Sequence, residues 1–182
     1  MPDPQQFEAF MLKYQNMVFS TAMRLLANPT EAQDIAQEVF LKAYERFTDL
    51  SQSPTAGGWL KTVATNMSLN HLTRYRARWS FFSELVKGGD SDDPEPIEFA
   101  SPDTFEHDLE QADRHVLVEK VLQKLPPAQR VPLVLYHLEG LSYEQIAVKL
   151  NVSLGKVKTD IFRAREGMRK RLRTHLDEIR PA

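Results

Sequence analysis

Cysteine is absent from the 182 residues, which excludes disulfides, thiolate metal sites and thiol catalysis at once. Glycine is scarce as well, at 7 residues, and no Gly-rich loop is present to cradle a phosphate. The five histidines show no metal-ligand spacing, and no H-E-x-x-H string occurs. No apolar run approaches the ~20 residues that a membrane helix needs. The amino end has no basic segment leading into an apolar one. These absences predict a cytoplasmic chain that does not insert into a membrane, is not an enzyme, and holds neither metal nor cofactor.

A single sign of charge is also missing from whole stretches, although the net charge is only −2. Residues 56–79 carry Lys61, Arg74, Arg76 and Arg78 and no acid. Residues 80–113 carry Lys87 against eleven acids, and residues 114–182 carry fourteen basic groups against seven acidic ones. Two basic blocks flanking an acidic one fit nucleic-acid contact through the basic parts, or solvated helix faces that merely differ.

What is abundant is a 3.6-residue apolar rhythm, so the fold class is all-α. Phe7, Phe10, Met11, Tyr14, Val18, Leu25 and Leu26 stripe a first helix. Asn28-Pro29-Thr30-Glu31 starts a second: Asn28 caps free N–H groups, Pro29 fits the first position, and Glu31 suits the positive end. That helix is expected to reach about Phe47, and a third to run from Trp59 to about Arg78. Gly88 to Pro102 holds a Gly pair, three prolines and clustered acids, and reads as a flexible linker. Helical pattern resumes near Phe105, breaks at Pro126-Pro127 and restarts toward Gly140. The expected architecture is two small helical domains, residues 1–80 and 113–182, joined by an acidic linker over 81–112.

Residues 141–173 carry the sharpest motif. Ser142-Tyr143-Glu144-Gln145 matches a capping box. Ile146, Ala147 and Leu150 give a short apolar face, Asn151-Val152-Ser153 a tight turn, and Ser153 a cap for the next helix. Two short helices joined this way form a helix-turn-helix, whose second helix enters the major groove. On that helix Val157, Ile161, Ala164 and Met168 share one side. Thr159, Phe162, Arg163, Glu166, Arg169 and Lys170 lie opposite. Phe162 sits about 140° from Val157, an unproductive place for an aromatic unless it touches something such as a thymine methyl. Lys156, Lys158, Arg163, Arg165 and Arg169 suit phosphate contacts. A stand-alone regulator binding palindromic half-sites as a dimer would use the same motif.

The amino-terminal half offers two more patterns. Ile35, Val39, Ala43 and Phe47 stripe one side of the second helix. Gln37, Phe40, Leu41 and Tyr44 stripe another, rimmed by Asp34, Glu38 and Glu45. A helix apolar on two sides is either deeply buried or binds a partner. The third helix combines Trp59, Asn66, Asn70 and His71 with Arg74-Tyr75-Arg76-Ala77-Arg78-Trp79. Cations interleaved with aromatics suit a single strand, and a core role for the rings with solvated arginines is the alternative.

In these residues the chain resembles the bacterial group 4, or extracytoplasmic-function (ECF), sigma factors of the sigma-70 family. The run from Asp34 to Tyr44 looks like the helix that binds core RNA polymerase, and Trp59 to Arg78 like the −10 element helix. Leu141 to Ala147, with Val157-Lys158 and Phe162-Arg163-Ala164-Arg165, looks like the −35 reader. The resemblance implies promoter-directed initiation of transcription, in the service of a stress or envelope response. Asp34, Gln37, Glu38, Phe40, Leu41 and Tyr44 would dock on polymerase. Trp59, Lys61, Asn66, Asn70, His71, Arg74, Arg76 and Arg78 would hold −10 DNA. Lys156, Lys158, Thr159, Phe162, Arg163, Arg165 and Arg169 would read −35 DNA. Core polymerase, promoter DNA and an anti-sigma factor are the implied partners, with no small-molecule substrate. Asp160 departs from many relatives and is expected either to repel phosphate or to select a base donor such as cytosine N4.

Overall fold

The computed structural model describes the backbone of residues 1–85 and 111–179 and the side chains of residues 1–74 and 113–178. Every regular element among them is a helix. The proposed linker from Gly88 to Pro102, and the side chains of Tyr75, Arg76, Arg78 and Trp79, lie outside the described residues.

Helix α1 spans Pro4–Leu26, with the Asp3 carboxylate accepting from the Gln5 N–H at 3.1 Å. Its apolar stripe buries Val18, Ala22 and Leu25. It ends at Ala27 in the left-handed region (φ 52°), whose N–H returns to the Met23 carbonyl. Helix α2 (Pro29–Glu45) begins as its sequence predicts: the Asn28 side chain accepts from the N–H groups of Thr30 and Glu31 at 3.0 and 3.2 Å. The chain breaks at Arg46, so Phe47 opens a separate short helix, α3 (Phe47–Leu50), and does not extend α2. Helix α4 (Ala56–Leu85) is longer than expected at both ends and continues into the stretch assigned to the linker. These four helices enclose a core of Val18, Ala22, Ile35, Val39, Ala43, Leu60 and Ala64.

The second unit comprises α5 (Gln111–Lys124), α6 (Pro127–His137), α7 (Tyr143–Leu150) and α8 (Leu154–Ile179). The capping box at Ser142 is complete. Gln145 N–H donates to the Ser142 hydroxyl at 3.1 Å, and Ser142 N–H donates to the Gln145 side-chain oxygen at 2.9 Å. Asn151 takes the left-handed conformation (φ 54°) that ends α7, a place where Asn substitutes for Gly at little cost. Ser153 then caps α8 by accepting from the Lys156 N–H at 3.1 Å. Val157, Ile161 and Ala164 are buried against Ile146, Val131 and Leu135, which fixes the rotation of α8.

The two units are docked on each other. Leu25 of α1 and Leu69 of α4 belong to the same apolar cluster as Leu125, Val134 and Ile161. Arg130, only 3% exposed, sends Nε and Nη2 to the Leu25 carbonyl at 3.3 and 3.1 Å and Nη1 to the Leu125 carbonyl at 2.7 Å. Its guanidinium thus bridges the carboxyl ends of α1 and α5, where helix dipoles are negative. Net contributions of hydrogen bonds to a charged group run ~1.5–3 kcal/mol each. Beside it, Arg24 meets Glu119 at 2.8 Å.

Candidate nucleic-acid and partner interfaces

Packing one stripe of α2 inward leaves the other facing α1, and a groove of about 770 Å³ opens between the two helices. Phe7, Met11 and Phe19 line it from α1, and Gln37, Phe40, Leu41 and Tyr44 line it from α2. Leu41 is 67% exposed and Tyr44 is exposed beside it, whereas Phe40 is buried and forms the floor. The choice left open for this helix therefore resolves residue by residue, since Phe40 joins the core and Leu41 stays outside. Phe7 holds Tyr44 edge-on at 5.0 Å between ring centres. Gln37, Asp34 and Glu38 are exposed near the same stripe. An exposed apolar groove with an acidic rim suits an amphipathic partner segment carrying basic residues.

The α1 wall was missing from the expected site. A signal for it was present in Phe19, a large aromatic on α1 that falls outside the core stripe and lines the groove. Phe19 is exposed.

On α4 the burial pattern separates structure from surface. Leu60, Ala64, Ser68 and Leu69 face inward, and Trp59 packs partly against the core. Asn66, Asn70 and Arg74 are exposed. Of the other residues expected on −10 DNA, Arg76 and Arg78 lie outside the described side chains, and His71 and Lys61 each have a neighbour within the chain. The His71 ring nitrogen Nε2 lies 3.3 Å from the Glu31 carboxylate, and Lys61 Nζ donates to the Leu138 carbonyl at 3.1 Å. Glu139 follows at 3.9 Å from Lys61. Burial raises the Glu139 pKa above its ordinary value, an effect partly offset by the attraction of Lys61.

The α8 face is presented by α7, and Tyr143 at the start of α7 stacks on Tyr136 at 4.7 Å. Lys158, Thr159, Phe162 and Arg163 are exposed together, Phe162 at 56%. Lys156, Arg169 and Arg165 are held within the chain by polar contacts. Lys156 Nζ reaches Asp160 at 2.6 Å, Arg169 reaches Glu166 at 3.2 Å, and Arg165 donates through Nε to His137 Nε2 at 3.3 Å. The Arg165 guanidinium also lies 5.7 Å from the Tyr136 ring centre. Burial, then the charge of Arg165, lowers the His137 pKa.

Asp160 corrects the sequence reading. It is only 8% exposed, sits on the inward side next to Ile161, and has its carboxylate tied to Lys156. It lies on the core side of α8, away from the exposed face of Lys158, Thr159, Phe162 and Arg163. The reason is helical phase: three residues after Val157, it falls on the same side as that core residue.

Among the described residues no cluster of three or more metal-ligating side chains is present, and no helix is long and apolar enough to cross a membrane.

Comparison with known proteins shows the family. Residues 10–78 match the family model "Sigma-70 region 2", and residues 115–168 match "Sigma-70, region 4". The chain is 35% identical to the RNA polymerase sigma-H factor of Pseudomonas aeruginosa, over 97% of this chain and 91% of that protein. It is 30% identical to the ECF RNA polymerase sigma factor SigW of Bacillus subtilis, over 94% and 91%. Among solved structures it is similar to the sigma factor RpoE from Bartonella quintana, crystallised with the anti-sigma factor NepR. That likeness has 23% identity and a TM-score of 0.48, and covers 92% of this chain and 96% of that one.

Proposed function

Because the chain belongs to the sigma-70 family as an ECF-type sigma factor, and so serves promoter-specific initiation of transcription, we propose how its three surfaces divide that work. The α1–α2 groove docks core RNA polymerase. Leu41 and Tyr44 supply apolar contact there, Phe40 backs them from below, and Asp34, Gln37 and Glu38 meet polar or basic groups at the rim. An exposed Leu beside an apolar groove marks a surface that a partner covers.

The exposed face of α4, with Asn66, Asn70 and Arg74 and with Lys61 and His71 once released, holds the separated strand of the −10 element. Unstacking a base costs a few kcal/mol, which pocket contacts and cations along the backbone offset. The face of α8 carrying Lys158, Thr159, Phe162 and Arg163 enters the major groove of the −35 duplex. Arg163 and Lys158 provide register and affinity, and Phe162 meets an apolar base edge. No bond-making chemistry is assigned to the chain itself; it acts in the cytoplasm, where the polymerase carries out synthesis, and it answers a stress or envelope signal. An anti-sigma factor that covers the groove or the DNA faces would hold it inactive.

The observation that carries this reading is the coexistence, on one chain, of an apolar groove and an outward Phe162–Arg163 face on a correctly capped helix-turn-helix. Purified protein added to core polymerase on a panel of genomic promoter fragments tests it. Footprints should cover two unlike elements and transcripts should start at one position. A palindromic footprint made without polymerase, or no directed start on any fragment, would contradict it.

A further inference from the structure

Tyr136, His137, Tyr143 and Arg165 meet where α6 ends, α7 begins and α8 passes by, and none of them belongs to a proposed interface. Tyr136 stacks on Tyr143 at 4.7 Å between ring centres and meets His137 edge-on at 4.9 Å. From α8, Arg165 donates through Nε and Nη2 to His137 Nε2 at 3.3 and 3.1 Å, and its guanidinium faces the Tyr136 ring at 5.7 Å. We infer that Arg165 is a positioning residue of the −35 reader: it clamps the α6–α7 junction onto α8 through Tyr136 and His137, and so sets how α7 lies on α8, without itself touching DNA. The inference rests on the proposed reading of α8 as the −35 face.

Helix α7 needs such a clamp. It has 8 residues, of which only Ile146 is buried. Helices shorter than ~12–15 residues hold no shape of their own in water, so packing must set its direction. The capping box at Ser142 and the left-handed Asn151 satisfy its ends but do not orient it. Helix α8 is different, because Val157, Ile161 and Ala164 anchor it in the core. Tyr143 is the first residue of α7, so what holds Tyr136 holds the amino end of that helix. In a helix-turn-helix the first helix crosses the DNA backbone while the second reads bases. A tilt of α7 on α8 therefore changes how α8 is seated in the groove.

The chemistry of the junction selects arginine. A guanidinium presents Nε and one Nη along a single edge and lies well against an aromatic face, whereas an ammonium is a compact, strongly hydrated charge. Burial, then the charge of Arg165, lowers the His137 pKa, so the ring is neutral at neutral pH and Nε2 offers a lone pair. Arg165 is half-buried, in contrast to the exposed Lys158, Thr159, Phe162 and Arg163.

The full chain bound to core polymerase provides the test, on two promoter fragments. One carries the upstream element mapped by footprinting, and the other has a single base pair of that element changed. Competition between them, well below the melting temperature of each variant, gives a specificity ratio. A salt series gives the slope of log K against log salt. Arg165→Lys keeps the charge that a phosphate would need but loses the fork on His137. The ratio should fall roughly five- to tenfold for Arg165→Lys and for Tyr136→Leu, with the salt slope unchanged. Tyr136→Phe, which keeps the ring, should retain the wild-type ratio. A ratio unchanged in Arg165→Lys and Tyr136→Leu, with only the melting temperature lowered, makes the cluster merely structural and overturns the inference. A wild-type ratio in Arg165→Lys, with a slope shallower by about 0.9 in Arg165→Gln, makes Arg165 a phosphate contact and overturns it as well. If the wild type shows no preference between the fragments, the reading of α8 fails and takes this inference with it.

Discussion

Asp160 shows how little a residue's identity says until its phase on the helix is known. As an isolated acid in a basic helix it invites a role at the DNA; in the structure it is buried beside Ile161 and holds Lys156, a cation that the proposed reading places at the DNA. Asp160→Ala should therefore release Lys156 and tighten −35 duplex binding, steepening the slope of log K against log salt by about 0.9, one added phosphate contact. Filter binding over a salt series checks this, and an altered base preference with an unchanged slope would contradict it. His137 gives a second residue-scale prediction. Its Nε2 accepts from Arg165, and both its burial and that cation hold its pKa below the ordinary 6.5. The unfolded chain takes up the proton first, so stability from this site is present above 6.5 and declines as pH falls below it. Thermal melts should fall with acidification in this window more steeply for the wild type than for His137→Asn. Parallel curves would refute the role.

At the scale of elements, what was legible in the sequence was what is local. The Asn28 and Ser142 caps, the Ser153 start of α8 and the inward stripe of Val157, Ile161 and Ala164 all depend on residues within a turn or two of each other. The break at Arg46 and the early start of α4 at Ala56 were not legible, because packing of Phe47 and Ala56 into the core decides them. The two glycines of α8 make the same distinction testable. At Gly155 a Cβ meets nothing within 4 Å, so Gly155→Ala should stabilise the unit by up to ~1 kcal/mol through helix propensity alone. At Gly167 a Cβ would lie 2.8 Å from Leu125 Cδ2, a buried side chain. Overpacking costs ~1–3 kcal/mol and outweighs the same propensity gain, so Gly167→Ala should destabilise. Opposite shifts in urea midpoint are expected, and equal ones would remove the packing argument.

For the whole molecule, composition and helical rhythm pointed to two helical units joined by a linker, but left open how the units sit on each other. The docking rests on Arg130 reaching a carbonyl 105 residues away, and no periodicity or spacing encodes a contact of that range. The surfaces themselves were half visible: α2 and α8 through their outward Leu41 and Phe162, but not the α1 wall, whose Phe19 acquires meaning only when α2 lies beside it. The proposed separate surfaces for polymerase and for DNA make a separable prediction. The most direct measurement is a paired assay of core-polymerase affinity and of dependence on the upstream promoter element for Leu41→Asp and Arg163→Ala. Leu41→Asp should weaken polymerase binding by about tenfold or more with −35 duplex binding retained, and Arg163→Ala should cost about 1–3 kcal/mol at the upstream element with polymerase affinity retained. Equal losses in both assays for both variants would contradict the account.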